Sequence, residues 1–240
     1  MFYILYYGTF IILIPGIILA FIAQILVKTT FSKYSKRYAS SGITADEASR
    51  KMLRDHNCVG VDVQPISGSL TDNYNPKTDV LSLSDSVYSS SSIAALGVAA
   101  HECGHACQQY ENSFLLKLRS FLVPVTNIGS RAAVPVAIIG LILEWILAGT
   151  QNFGSYVLAF GILLYSLSTI FALVTLPVEI GASSRAMKML KEENFLEGKE
   201  LSGARRVLTA AALTYVASLV VSFLYLLRFL VLISSSRKRK

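Results

Sequence analysis

The chain has 240 residues, with 22 Lys and Arg against 15 Asp and Glu, and a formal net charge of +7. Hydrophobic residues make up 53% of it and charged residues only 15%, against about 25% charged in soluble proteins, and the mean hydropathy is +0.52. This composition excludes a disordered chain and a nucleic-acid-binding module, and it indicates a multi-span membrane protein. The three cysteines are too few for a disulfide framework and indicate reduced thiols facing the cytosol: Cys58, Cys103 and Cys107.

Four apolar segments have the length of about 20 residues that a bilayer requires. They cover residues 3–27, 132–148, 153–176 and 207–233. The first is predicted to be a retained span rather than a cleaved signal peptide, because its basic residues follow the apolar run instead of preceding it. Arg131 and Pro135 interrupt the apolar block that contains the second span, so we expect residues 121–130 to lie at the membrane interface.

The basic residues predict the orientation of the spans. Residues 28–120 and 177–206 are polar segments with basic residues close to the membrane, whereas the turn of the helical hairpin predicted for residues 121–176 carries none. By the positive-inside rule both polar segments are cytoplasmic. Residues 207–240 consist of an apolar segment and a basic tail. A complete fourth span would place this tail on the non-cytoplasmic side, so the sequence leaves open whether the segment crosses the membrane fully.

Local patterns predict the first elements of the larger polar segment. Thr44 and Glu47 form a capping box, in which each side chain satisfies a free backbone donor, and the helix that they start should run to about His56. The alternating valines between 59 and 63 predict a short strand.

Further elements follow in chain order. Asn75-Pro76 indicates a turn, residues 80–84 a second strand, and residues 93–110 a helix capped by the preceding serines. Pro177 is predicted to begin a separate helix that runs to about Leu190, and residues 192–202 a charged loop. The predicted fold class is a mainly α membrane protein with about four transmembrane helices and a small α+β cytoplasmic portion.

His101-Glu102-Cys103-Gly104-His105 is an HExxH motif on the helix predicted for residues 93–110. Residues four apart share one face of a helix, so the two imidazoles can bind one Zn²⁺ and Glu102 can reach its bound water. The alternative is a pair of helix histidines without metal. Cys103 and Cys107 are interpreted as small packing residues, because as zinc ligands they would compete with the histidines.

A catalytic zinc site needs a third protein ligand. His105 is the last histidine and Asp85 the last aspartate, so a ligand further along the chain has to be a glutamate. Glu179 is the best candidate, because it lies between apolar neighbours at the end of the third span, which the predicted hairpin returns to the side of the His101 helix. The alternative is a carboxylate that only favours a helix N-terminus.

Several segments together resemble a known family. They are residues 99–106 and 211–217, Pro177-Val178-Glu179 with Ala182, Ser183, Arg185 and Ala186, and Asp72, Tyr74, Pro76 and residues 96–98. In these segments, and over nearly its whole length, the chain resembles the YugP-type family of neutral zinc metallopeptidases, which is similar to the HtpX/Ste24-like gluzincin membrane proteases. Three positions carry residues other than the Asp, Ala and His found there in the family: Gly181, Cys103 and Asn73. The first of these changes could weaken the support of the zinc ligands.

The resemblance implies a zincin-like catalytic portion that holds one Zn²⁺ per chain. His101, His105 and Glu179 would be its ligands, and Glu102 the general base that takes a proton from a zinc-activated water. The implied protein is an integral membrane endopeptidase of a bacterial plasma membrane, with its site at the cytoplasmic face. Membrane or misfolded proteins would be its substrates.

Peptide hydrolysis also needs a hydrogen-bond donor for the oxyanion of the tetrahedral intermediate. Four side chains are candidates, each with an ordinary structural role as the alternative: Tyr74, Arg185, Tyr215 and His56. The strand predicted before the zinc helix either presents its edge to an extended substrate or is enclosed in a small sheet. It consists of Val80, Leu81, Ser82, Leu83 and Ser84.

The expected partners are a protein or peptide substrate and the lipid bilayer, without nucleic acid, and the sequence does not determine the oligomeric state.

Two other functions compete with the protease. A non-catalytic zinc-binding membrane scaffold would need no base, which Glu102 argues against. A small transporter or channel subunit would need an ion path, and the scarcity of charged residues within the spans argues against one.

Overall fold

The computed structural model describes residues 8–146 and 153–237. After a 3₁₀ turn at Thr9–Leu13 the helices are α1 (Ile14–Tyr34), α2 (Ala45–Asp55), α3 (Ile93–Tyr110), α4 (Phe114–Ile146), α5 (Phe153–Glu192) and α6 (Gly198–Arg237). The strands are β1 (Asp62–Ile66), β2 (Asn73–Asn75) and β3 (Val80–Ser84). The start of the first predicted span, the hairpin turn at 149–152 and the last three basic residues lie outside the described residues.

Four helices are long and apolar enough to cross a membrane: Thr9–Tyr34, Phe114–Gly140, Phe153–Glu192 and Gly198–Val231. With one small sheet beside them, the predicted class of mainly α membrane protein is confirmed. Pro135 lies inside α4 without ending it, so the apolar block that it interrupts forms one continuous helix. The placement of residues 121–130 at the interface stays a prediction.

The prediction that a separate helix begins at Pro177 is wrong, because Pro177 lies inside the 40-residue helix α5. A proline in a helix interior costs about 3 kcal/mol or more. Here the residues that follow it are packed into a core, with Val178 and Glu179 each only 1% exposed, and this packing offsets the local cost. The charged loop predicted for residues 192–202 is also shorter than expected, because α6 already begins at Gly198.

The described part of the chain divides into two compact units. Of the described residues, the helical unit takes those up to Phe21, those within Leu118–Leu176 and those from Tyr215 onwards, and the polar unit takes Ile22–Lys117 and Pro177–Thr214. In the helical unit α4 and α5 approach closely, since a Cβ on Gly140 would lie 2.5 Å from Leu158 N. Small residues allow such approaches where helices pack in a bilayer.

The helical unit also buries one charged residue of α6. Arg228 is 5% exposed, its Nε donates to Thr9 Oγ1 at 3.3 Å, and its guanidinium lies 3.7 Å from the centroid of the Phe10 ring. A charge in an apolar span is tolerated where polar and aromatic groups surround it.

The polar unit contains the three-stranded sheet in the order β1-β3-β2. β1 pairs in parallel with β3, with Val63 opposite Leu81, and β2 pairs antiparallel with it, with Tyr74 also opposite Leu81. β3 is therefore the central strand. β1 pairs along all five of its residues, and β2 pairs with Val80, Leu81 and Ser82. This arrangement favours the enclosed strand of the two alternatives, and the substrate edge considered for Val80, Leu81, Ser82, Leu83 and Ser84 stays a prediction.

One further sequence prediction in this unit needs correction, and one strand was not predicted. The strand expected over the valines 59–63 begins only at Asp62, because Val59 is 78% exposed and only Val63 of that set is buried. β2 was not predicted, since its three polar or half-buried residues become a strand only by pairing with β3. The turn predicted at Asn75-Pro76 follows β2 directly.

Helices α2 and α3 form as their caps predict. Thr44 N donates to Glu47 Oε2 at 3.2 Å, which is one half of the capping box, and the helix ends at Asp55. Ser92 has extended backbone angles and its Oγ accepts from Ala95 N at 3.2 Å, so α3 begins at Ile93. The apolar face of α3 lies in the core of the polar unit.

Candidate metal centre

Two helices of the polar unit bring three possible metal ligands together. His101 and His105 lie one turn apart on α3, and Glu179 lies on α5. Glu179 Oε2 is 3.2 Å from His101 Nε2 and 3.5 Å from His105 Nε2. The ligand atoms of all three residues lie within 4.8 Å of one another. The carboxylate is 1% exposed and His105 7%, so the cluster is largely shielded from water.

The close approach of α3 and α5 depends on a glycine within the motif. A Cβ at Gly104 would lie 2.5 Å from Ala182 O and 3.1 Å from Ala182 Cα. Because both contacts are with backbone, no side-chain rotation could relieve them. Gly104 therefore lets the two helices lie close enough for the imidazoles to face Glu179.

The remaining ring nitrogens of both histidines also have partners. His101 Nδ1 is 3.1 Å from Ser183 Oγ, and His105 Nδ1 is 3.0 Å from Gln108 Oε1. A hydrogen bond at Nδ1 fixes the ring and leaves the Nε2 lone pair available for a metal. Gly181 lies beside this pair of supports, since a Cβ on it would be 2.8 Å from Gln108 Nε2.

Sequence reasoning assigned no role to Gln108 or Ser183. The signal that could have found them is helical spacing, since Gln108 follows His105 by three residues and Ser183 follows Glu179 by four. Residues at these distances share a helix face, so Gln108 lies on the same face of its helix as His105, and Ser183 on the same face as Glu179.

Glu102 lies on α3 between the two histidines and is 9% exposed. Burial raises the pKa of its carboxyl to about 7, with the His101 charge and a hydrogen bond from the Tyr74 backbone lowering the pKa, and Glu179 and Asp72 raising it. A divalent cation at the neighbouring ligands would favour the ionised form. A carboxyl group with a pKa near neutrality is suited to proton transfer at physiological pH.

The candidate oxyanion donors have other contacts. Tyr74 Oη donates to Asp79 Oδ1 at 2.7 Å, and the Arg185 guanidinium forms an ion pair with Glu111. His56 follows the last residue of α2, and its backbone N–H donates to Met52 O.

Tyr215, the fourth candidate, lies on α6 in the helical unit. Its role as an oxyanion donor stays a prediction, as do the roles of the other three candidates.

Three other glutamates that follow His105 in the sequence lie in ion pairs or hydrogen bonds of their own. Glu111 pairs with Arg185, Glu193 with Lys51 at 2.8 Å, and Glu200 accepts from Ser40 N at 3.0 Å. These contacts support the elimination that led from the sequence to Glu179.

The cysteines of α3 contact groups other than the metal ligands. Cys107 Sγ is 3.7 Å from Cys58 Sγ, and Cys103 Sγ is 3.9 Å from Ser49 O. Both are buried, as expected for packing residues.

The ligand set fits zinc. Zn²⁺ is bound by neutral imidazole nitrogen and carboxylate oxygen, usually with four ligands in a tetrahedron, and catalytic sites use three protein ligands with one open position. Two imidazoles and one carboxylate are the ligand set of one class of zinc-dependent peptidases, in which a glutamate also lies between the imidazoles.

Comparison with known proteins agrees with this class. Residues 9–234 match the family described as "Putative neutral zinc metallopeptidase", and the chain belongs to this family. It is similar to the "Putative membrane protease YugP" of Bacillus subtilis (strain 168), with 44% identity over 219 residues that cover 91% of this chain and 93% of the relative. No solved structure matches the chain.

Proposed function

We propose that this protein is an integral membrane zinc endopeptidase whose single Zn²⁺ is held by His101, His105 and Glu179. The observation that carries the proposal is the convergence of His101 Nε2 and His105 Nε2 on Glu179 Oε2, at 3.2 and 3.5 Å. Family membership supports a zinc peptidase, and the geometry supports these three residues as its ligands.

The metal, the base and the residues that hold the ligands have distinct parts in the proposed reaction. A bound Zn²⁺ supplies a Lewis acid that lowers the pKa of water to about 7. Glu102 accepts the proton of the attacking water and gives it to the leaving amine of the cleaved peptide bond. Ser183 holds the His101 imidazole and Gln108 holds the His105 imidazole, each through the Nδ1 atom of the histidine.

The proposed location follows from the sequence. The basic residues of the two polar segments favour the cytoplasmic side of a bacterial plasma membrane for the site. Glu179 is the third residue after the apolar segment 153–176, so the site lies close to the membrane surface. Membrane or misfolded proteins are the substrates that we propose for it.

The decisive test replaces the proposed base while keeping the ligands. In Glu102→Gln, the side-chain shape is kept and the proton acceptor is lost, so we expect about 10²–10⁴-fold slower cleavage of casein with unchanged zinc content. Glu192→Gln, on the exposed end of α5, is the control and should keep both. Metal analysis of the purified protein and a fluorescent casein assay measure the two properties.

The same experiment separates the enzyme from a zinc-binding scaffold. Wild-type protein should lose cleavage when a chelator removes the metal and regain it with added Zn²⁺. Unchanged cleavage in Glu102→Gln would exclude Glu102 as the base. Stoichiometric zinc in a wild type that cleaves nothing would favour the scaffold.

A further inference from the structure

The Gln108 side chain connects the two helices that carry the metal ligands. It is 3% exposed, its Oε1 is 3.0 Å from His105 Nδ1 on α3, and its Nε2 donates to Val178 O on α5 at 2.8 Å. Val178 directly precedes the ligand Glu179. One buried amide therefore contacts one ligand and the residue beside another.

The chemistry of these contacts determines which nitrogen of His105 carries its proton. A backbone carbonyl can only accept a hydrogen bond, so the amide nitrogen of Gln108 has to face Val178 and its oxygen has to face His105. The amide oxygen also only accepts, so Nδ1 must be the protonated nitrogen. The lone pair of His105 is then on Nε2, the atom that faces Glu179.

His101 lacks a contact of this kind. Its Nδ1 partner is the Ser183 hydroxyl, which can either donate or accept a hydrogen bond. That contact holds the ring but is compatible with both tautomers. Gln108 is therefore the more selective of the two supports.

Gly181 provides the space that the Gln108 amide occupies. A Cβ at this position would lie 2.8 Å from Gln108 Nε2 and 3.5 Å from Arg185 Nη1. Gln108 could withdraw only by lengthening its bonds to Val178 or to His105. Glycine is unfavourable inside a helix such as α5, and its presence here is explained by this contact.

We propose that Gln108 is a positioning residue that holds His105 in its metal-binding tautomer, and that Gly181 is required because it leaves room for the Gln108 amide. This inference rests on the proposed metal site. It assigns to this chain a support that spans both ligand-bearing helices.

The test measures zinc affinity of the full chain in detergent, by competition with a chromogenic chelator. Gln108→Met keeps the length of the side chain but removes both hydrogen bonds, and we expect about 10–100-fold weaker binding. Gln108→Glu keeps an acceptor for His105 Nδ1–H but replaces the donor to Val178 O with an acceptor, so it should bind zinc more tightly than Gln108→Met and more weakly than wild type. Gln109→Met, at the next position of the same helix, is the matched control and should bind as wild type does.

A second variant tests the role of Gly181. Gly181→Ala should weaken zinc binding by displacing the amide, whereas in the Gln108→Met background the same change should add little. This non-additivity is the signature of two residues acting through one contact. The absorption spectrum of the Co²⁺-substituted protein should change most in Gly181→Ala and Gln108→Met and least in Gln108→Glu.

The outcomes distinguish this inference from the proposed function. If wild type binds zinc and Gln108→Met binds it equally well, the positioning role is overturned and the metal site stands. If Gln108→Met does not fold, wild-type affinity in Gly181→Ala overturns the role in the same way. Absence of zinc binding in wild type would overturn the metal site and this inference with it.

Discussion

Glu179 follows His101 by 78 residues in the chain, and its Oε2 lies 3.2 Å from His101 Nε2. The two residues belong to different helices, α5 and α3, whose backbones meet where Gly104 faces Ala182. The candidate site is therefore a property of helix packing in the polar unit rather than of the HExxH motif alone. Changes that remove the carboxylate and changes that separate the helices should both affect metal binding, for different reasons.

Removal of the Glu179 carboxylate tests the third ligand directly. In Glu179→Ala, two imidazoles remain, and we expect zinc affinity to fall by at least the 10–100-fold that loss of a supporting residue costs. Equilibrium dialysis followed by metal analysis gives the affinity. Glu192→Ala, an exposed carboxylate on the same helix, should keep full zinc content. Zinc content that survives Glu179→Ala would remove this residue from the ligand set.

Two glycines of α3 offer a matched test of the helix contact. Gly104→Ala places a Cβ 2.5 Å from Ala182 O, so we expect a loss of about 1–3 kcal/mol in the free energy of unfolding together with weaker zinc binding. Gly97→Ala places its Cβ 3.5 Å from Ala204 Cβ, an ordinary van der Waals contact. That variant should be as stable as wild type or more stable, because alanine favours a helix by up to about 1 kcal/mol over glycine.

Thermal unfolding of both glycine variants in detergent, with and without chelator, measures these differences. A lower Tm for Gly104→Ala in both conditions shows that the packing itself is disturbed, and not only the metal site. Equal Tm values for the two variants would contradict the role assigned to Gly104.

The core of the site was predictable because its signals are local. The two histidines are four residues apart on a helix whose N-cap, Ser92, is recognisable in the sequence, and α3 has the predicted bounds. Glu179 could be reached by elimination, since the sequence offers few other carboxylates after His105. These inferences needed no knowledge of tertiary packing beyond the predicted return of the chain.

The errors arose where tertiary contacts override local preference. Pro177 resembles a helix start in sequence, yet burial of the residues after it keeps α5 continuous. β2 is polar and short, and only its pairing with β3 makes it a strand and places β3 at the centre of the sheet. The role of Gln108 depends on Val178, 70 residues away, which no local pattern indicates.

Tyr74 separates structural from catalytic roles among the candidate oxyanion donors. Its hydroxyl donates to Asp79 Oδ1 at 2.7 Å, so Tyr74→Phe should lower the free energy of unfolding by about 1.5 kcal/mol. Because that hydroxyl is engaged within the sheet region, we expect kcat for casein cleavage to stay within a few-fold of wild type. Loss of an oxyanion donor would instead lower kcat by about 10²–10³-fold.

The Asp79→Asn variant is the control for this hydrogen bond. Asp79 has a φ of 51°, a backbone conformation that asparagine also tolerates, and the asparagine carbonyl can still accept from Tyr74 Oη. Its loss of stability should therefore be smaller than that of Tyr74→Phe. A large fall in kcat in Tyr74→Phe, with kcat unchanged in Asp79→Asn, would show that the Tyr74 hydroxyl leaves Asp79 to act on the substrate.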